Sequence, residues 1–392
     1  MMSNIPDGVI RDARDDLRHA ITIPSENPPG NERTIAEFLG GRLEALGAQV
    51  EYQEVAPGRP NVLGTFRFSD GPTLMLTAHS DTVPITPGAV RNLLQPEEER
   101  GKLYGRGACD DKGPLIAMLA ACRLAVERHR SGIPLTGTLI FAGVMGEESG
   151  GEGTRHIAGN GPLPDLAVVG EPTELAPVLG HKGSYRKRFV FHGRAAHSSD
   201  PSLGRNAAYH AAHFVVAIEE LNERLVSVTH PLFGRAVVSA NVIRGGEKVI
   251  VIPDRCEVEV DRRLLPGEDE STAQREMDSI LNDLRTRYLE LHVEIEDLGM
   301  GKAPAQTPED HDLAVTLKSC IEEVMGRKVT FGGYRAGTDM TFLSAAGVPT
   351  VIFGPGSIDH AHTVDEHISL DEFDLSIGIY THLVTTILGG GR

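Results

Sequence analysis

The 392 residues carry 38 Lys and Arg against 55 Asp and Glu, a formal charge of −17, which opposes phosphate backbones and anionic lipid surfaces, so neither nucleic acid nor membrane is an expected partner. With 40% hydrophobic and 24% charged residues the composition is that of a globular protein, long enough for roughly two to three domains, and no apolar run nears the ~20 residues that span a bilayer. Cys109, Cys122, Cys256 and Cys320 are widely spaced without a CxxC, and the opening MMSNIPDGVIRDARDD has no basic stretch before an apolar core, which together predict free thiols and a cytoplasmic location.

In chain order, NERTIAEFLGGRLEALG (31–47) reads as an amphipathic helix with Asn31 as N-cap and Gly47 as its stop. TLMLTAH (73–79) reads as a buried strand and GPLIAMLAACRLAVERH (113–129) as a helix. TGTLIFAGV (136–144) and LAVVG (166–170) are again short buried strands. Strands alternating with helices predict an α/β fold with a mostly parallel sheet covered on both faces.

The pattern then changes. SYRKRFVFHG (184–193) alternates like a strand, and a helix follows over about 205–222. Two strand-like runs come next, AVVSANVIRG and VIVIPDRCEVEVDRRLL, then a helix near TAQREMDSILNDLRTRYLEL and a last strand LHVEIEDL. This order predicts a separate α+β domain over 184–297, inserted into a discontinuous α/β domain of 1–183 and 298–392. The later segments HDLAVTLKSCIEEVMG, TFLSAAG and PTVIFG, and a helix from Leu370, return to α/β signals.

Sites in open α/β sheets form at the carboxyl ends of strands. His79 and Asp81 end the first strand, Glu147 and Glu148 follow the third apolar run in GVMGEESGG, and Glu171 follows LAVVG. His360 and His362 follow PTVIFGPG, and Asp110 and Asp111 precede a helix. Each alone has an ordinary reading: Asp110 and Asp111 as helix caps, the glutamates as solvated loop acids, Glu171 as a turn residue. Together, imidazoles and carboxylates suit divalent zinc, cobalt or manganese. Two histidines with three carboxylates can hold two ions if one carboxylate is shared, the ions lying roughly 3.5–4 Å apart.

The segments LTAHSDTVP, LYGRGACDDKGPLIA, MGEESGGEGT, GEPT, HKG, HGRAAHSSDPSLGRNA, IPDRCEVEVDRRLLP and FGPGSIDHAHTVDEHISL run in one order along the chain. They resemble, in text and order, the co-catalytic di-zinc deacylase and peptidase family. Its members include acetylornithine deacetylase, succinyl-diaminopimelate desuccinylase, the aminoacylases and glutamate carboxypeptidase. The resemblance implies a zinc-exopeptidase-like catalytic domain with an inserted dimerisation or lid domain. His79 and Glu171 would hold one ion, Glu148 and His362 the other, and Asp110 would bridge them, with a cis bond to Asp111. His362 rather than His360 is in register with AHTVDE. Asp81 would accept from the second nitrogen of His79, and Glu147 would be the general base toward a metal-bridging water.

His197, in GRAAHSSDP, would help to hold the oxyanion in the active site of the partner subunit, so a homodimer through the inserted domain is implied. Arg263 matches the family's arginine for a substrate carboxylate, and Arg335 is a further candidate whose ordinary reading is a solvated loop charge. Ile250 stands where the family often has Asn, which points to an altered acyl pocket. Hinges near Gly183 and Gly299–Gly301 would allow closure. The expected reaction is hydrolysis of the amide bond of an N-acyl amino acid. The alternatives are a metallo-exopeptidase on short peptides and a non-catalytic metal-containing homologue.

Overall fold

A computed structural model describes residues 5–85, 88, 91–299 and 301–389. The chain forms two compact units, one of Met1–Gly180, Gln306–Tyr334 and Thr338–Arg392, the other of His181–Ala305 and Arg335–Gly337. Met1–Asn4 of the opening segment, and Met300 of the expected hinge at Gly299–Gly301, lie outside the described residues. No helix among the described residues is long and apolar enough to cross a membrane.

The first unit has the expected α/β class. Four strands at the centre of its sheet run parallel, in the order Thr138–Val144, Thr73–His79, Leu166–Val169, Thr350–Ile352. Their near-continuous apolar text has a physical reason: Leu74, Leu76, Leu139, Phe141, Val168 and Val351 are all buried, as strands covered on both faces require. The helix Lys112–Arg130 packs against Asp7–Thr22 and Leu370–Leu388. The parallel register pairs Thr73 with Thr138 and His79 with Val144, and Thr350 with Ala167. One edge of the sheet therefore receives every carboxyl end, and the chain leaves that edge at His79, at the Glu147 turn, at Glu171 and toward His362.

One helix and one hairpin stand out among the elements absent from the sequence reading. The helix Asp7–Thr22 buries Val9, Ala13, Leu17, Ala20 and Ile21, an i, i+4 stripe masked by its many charges. The antiparallel hairpin Gln49–Ala56 and Arg59–Arg67 adds to the edge beside Thr138–Val144. Asn31 is not the cap of the second helix, which runs Arg33–Leu46 after Glu32. Glu32 makes no cap bond, because its carboxylate is bonded to Arg59 instead. Gly47 does end that helix, in the left-handed conformation that glycine tolerates.

In the second unit four antiparallel strands lie in the order Val237–Gly245, Arg255–Leu264, Gly183–His192, His292–Asp297. Alternation sorts their side chains. Tyr185, Phe189, Phe191, Val258 and Val260 join a core with Phe214 of the helix Ala207–Arg224 and Met277 and Leu281 of Glu270–Arg287. Arg262, fully buried, is bonded by Glu268 and Glu276, which fixes its strand to the second helix. The run from Val249 to Leu265 is not one strand. Val251–Ile252 pairs with Ala196–His197, and the main strand starts only at Arg255, past Pro253, which has no N–H for a ladder. Gly183, read as a hinge, is a paired strand residue opposite Leu264.

Phe214 is wholly buried, its ring 4.6 Å from that of Phe189 and 5.3 Å from that of Phe191. Phe214→Ala is expected to destabilise this unit by about 3–5 kcal/mol, read as a lower urea midpoint for the transition of this unit.

Candidate metal centre

His79 ends its strand and is buried. Its Nδ1 lies 2.9 Å from the main-chain carbonyl of Asp81, an acceptor that can only receive a proton. Nδ1 thereby keeps its proton whether or not the ring is charged, and Nε2 is the nitrogen left for a ligand role; it lies 2.9 Å from Asp110 Oδ1. The expected partner of His79, the carboxylate of Asp81, stands farther off at 3.5 Å. That carboxylate serves another purpose. Its Oδ1 accepts from the N–H of Glu147 at 3.1 Å and its Oδ2 from the N–H of Glu148 at 3.2 Å, the open amides that begin the short helical turn Glu147–Ser149.

Glycine fences that turn for steric reasons. Gly146 and Gly151 have φ of 76° and 75°, and a Cβ on Gly151 would lie 2.3 Å from the Phe342 ring. The turn so formed presents Glu148 Oε1 to His362 Nε2 at 3.0 Å. The same nitrogen is 3.2 Å from Asp110 Oδ2. Asp110 thus offers one oxygen to His79 and the other to His362. Ligand atoms of His79, Asp110 and Glu148 all lie within 4.8 Å of one another. Glu171 is buried, and its Oε2 accepts from Tyr334 Oη at 3.2 Å. The Asp110–Asp111 bond is cis. Asp111 does not cap the following helix; its Oδ2 accepts from the main-chain N–H of His79 at 3.1 Å.

The electrostatics test whether this set fits divalent ions. Burial pushes the Glu148 carboxyl up to about 7, with the charge of Asp110 adding and the hydrogen bond to His362 opposing. Burial, Asp110 and Glu147 push Glu171 well above the carboxylate range. Asp110 goes the other way: burial works against its charge, but hydrogen bonds to His362 and His79 hold it below its ordinary value. His362 rises to about 10 through its bonds to Asp110 and Glu148. Excess buried negative charge is thus shared with protonated imidazoles. A divalent cation supplies the missing charge directly, and the donors are those that zinc, cobalt and manganese accept. The residues fit.

Further residues, not singled out from the sequence, hold this arrangement. Glu366 is fully buried, and its Oε1 accepts from the N–H groups of Cys109 and Asp110, both at 3.1 Å. Its other oxygen pairs with Arg106, whose guanidinium also reaches the carbonyls of Thr363 at 3.4 Å and Pro84 at 3.3 Å. One buried ion pair therefore joins the loops that follow His79, that carry Asp110 and that carry His362. His362 itself has φ of 61°, an uncommon left-handed conformation for a residue with a side chain. The only sequence signal for Glu366 was its place in the HTVDEHISL text.

His79, Asp81, Asp110, Glu147, Glu148, Glu171 and His362 all belong to the first unit, whereas His197, Arg263, Ile250 and Arg335 belong to the second. His197 is exposed; its Nδ1 accepts from the N–H of Ser199 at 3.1 Å and lies 2.8 Å from Ser199 Oγ. Ile250 is half-exposed and its carbonyl accepts from Ser198 N–H at 3.0 Å, beside that histidine. Arg263 donates to Asp261 at 3.0 Å, and Arg335 is exposed.

Two outcomes follow from this geometry. Glu366→Gln weakens the grip on the Asp110 loop and is expected to lower metal affinity about 10–100-fold, measured by chelator competition. The bonds to Asp110 and Glu148 push His362 up to about 10, so a His362 that ligates an ion would give up its proton, and affinity is expected to rise with pH. Calorimetry in buffers of different ionisation enthalpy is expected to show net proton release on ion binding; none would contradict the assignment of His362.

The sequence profile of peptidase family M20/M25/M40 matches residues 75–386. The acetylornithine deacetylase of Vibrio vulnificus (strain CMCP6) is 33% identical over 374 residues, 91% of this chain and 93% of that protein. The acetylornithine deacetylase of Vibrio atlanticus (strain LGP32) is 31% identical over 357 residues, 89% and 90% of the two chains. Among solved structures, a tripeptidase from Staphylococcus aureus subsp. aureus Mu50 superposes with a TM-score of 0.79 at 21% identity, covering 96% of this chain and 98% of that one. A dinuclear metal binding peptidase of the M20 family from Bacillus subtilis superposes with a TM-score of 0.71 at 16% identity, covering 98% and 99%. These two establish the likeness of fold. The chain belongs to peptidase family M20/M25/M40 and is a hydrolytic enzyme of that family, acting on amide bonds.

Proposed function

We propose that this enzyme cleaves the amide bond of an N-acyl amino acid, in the manner of acetylornithine deacetylase and succinyl-diaminopimelate desuccinylase. The observation that carries the reading is Asp110, whose two oxygens face different imidazoles, with Glu148 on the second imidazole and Glu147 beside it. Two zinc ions would be held by His79 and Glu171, and by Glu148 and His362, with Asp110 between them. When bound, such ions supply Lewis-acid polarisation of the amide carbonyl and lower the pKa of water.

The chain's own groups do the rest. Glu147 takes a proton from the attacking water and delivers it to the leaving nitrogen, so that amide plus water gives carboxylic acid plus amine. Asp81 fixes the main chain of Glu147, which keeps this base separate from its ligand neighbour. His197, exposed and engaged at Nδ1 by Ser199, would donate from Nε2 to the developing oxyanion. Residues 184–297 act as lid and dimerisation domain, so that His197 serves a partner subunit's site. Tyr209 and Val216 of its first helix, and Ile243 of the outer strand Val237–Gly245, are exposed apolar groups that support a homodimer. Arg263 and Arg335 would orient the substrate carboxylate, Arg263 sharing its guanidinium with Asp261. Four buried free cysteines support a reducing cytoplasm.

The Vibrio acetylornithine deacetylases favour deacylation, while the likeness to a tripeptidase keeps an exopeptidase as the second reading. Activity on acetyl and succinyl amino acids well above that on dipeptides and tripeptides is the expected result; the reverse ranking selects the exopeptidase. Glu147→Ala is expected to lower kcat by about 10²–10⁴-fold with ion content kept. Equal kcat in wild type and variant would contradict Glu147 as the base.

A further inference from the structure

The turn that carries Glu147 and Glu148 is held from a second side by a residue that neither sequence motif nor site chemistry singles out. Asn27 is buried in the segment SENPPGNE. Its main chain is fixed beside the His79 loop: Thr82 N–H donates to Ser25 at 2.9 Å and Asn27 N–H to Thr82 at 2.8 Å, in a parallel bridge. So anchored, the side-chain amide divides its two protons. One goes to Asp81 Oδ2 at 2.9 Å and one to Ser149 Oγ at 2.8 Å. Asp81 in turn accepts from the N–H groups of Glu147 and Glu148. The result is a closed ring: Asn27 to Asp81, Asp81 to the start of the turn, and the end of the turn, at Ser149, back to Asn27.

We infer that Asn27 is a positioning residue for catalysis, which sets the Glu147–Ser149 turn through both Asp81 and Ser149. The physical reason is specific to its chemistry. A buried carboxylate with three acceptor bonds can tilt about any two of them, and the third, from Asn27, removes that freedom. Only an amide at this place offers two N–H donors without charge. Aspartate, of the same shape, would offer none when ionised and would face Asp81 with a like charge. This inference rests on the functional reading above for its link to rate, but not for its geometry.

The test therefore has a readout that needs no substrate. Hydrogen exchange in Asn27→Ala is expected to speed the amides of Glu147 and Glu148 by about tenfold or more, while those of Thr138–Val144 stay unchanged. Ser149→Ala, which cuts the far arm together with the serine's own bonds to Gly146 and Glu152 but leaves the bond from Asn27 to Asp81, is expected to give a smaller change at the same amides. With ions loaded to wild-type content, Asn27→Ala and Asn27→Asp are expected to lose about 10–100-fold in kcat with KM within about threefold. Unchanged exchange at Glu147 and Glu148 overturns the inference whatever the activity. So does faster exchange spread evenly over the unit, or kcat within about twofold of wild type. A wild type inert on every substrate, with exchange altered as expected, sinks the functional reading and leaves the positioning role standing.

Discussion

The arrangement depends on keeping the carboxylate of Asp110 ionised in a buried place. An isolated buried charge costs several kcal/mol, and neighbouring acids raise that cost. Here His79 and His362, one on each oxygen, offset it. The same two contacts define what the centre is for. Burial and mutual repulsion push Glu148 and Glu171 up, and a divalent cation among these groups would relieve that repulsion and displace protons.

A second regularity concerns the carboxylates that are not proposed as ligands. Each of three buried acids holds the main chain of a segment that carries a ligand. Asp111 accepts from the N–H of His79, Asp81 from those of Glu147 and Glu148, and Glu366 from those of Cys109 and Asp110. The side chains proposed as ligands are thus oriented by other acids of the fold, of which Asp81 is steadied by Asn27 and Glu366 by Arg106. Precision comes from the strand register first. The parallel pairing of Thr73–His79 with Thr138–Val144 sets His79 and the Glu147 turn at one level, and hydrogen bonds then fix the last ångström.

What the sequence makes legible follows from what is local. Buried parallel strands announce themselves as apolar runs, and the loops at their ends carry the histidines and acids, so the site could be placed on one sheet edge without coordinates. The opening helix Asp7–Thr22 was hidden because its charged residues dilute a correct stripe. The break at Pro253 was visible as a residue, but an alternating pattern on both sides of it concealed the change of partner. Asn27, Glu366 and Tyr334 were illegible for a different reason. Their partners are 54, 256 and 163 residues away, and a polar residue outside a long apolar pattern gives no local sign that it is aimed inward. The role of Asp81 was half legible: its nearness to His79 is encoded by spacing, whereas its grip on the Glu147 turn exists only after folding.

The central claim is that two ions share Asp110. The most direct measurement is anomalous diffraction at the zinc edge from crystals of the zinc-loaded protein. The account predicts two peaks, one beside each oxygen of Asp110, the first also reached by His79 and Glu171 and the second by Glu148 and His362. A single peak, or ions bound away from Asp110, would contradict it.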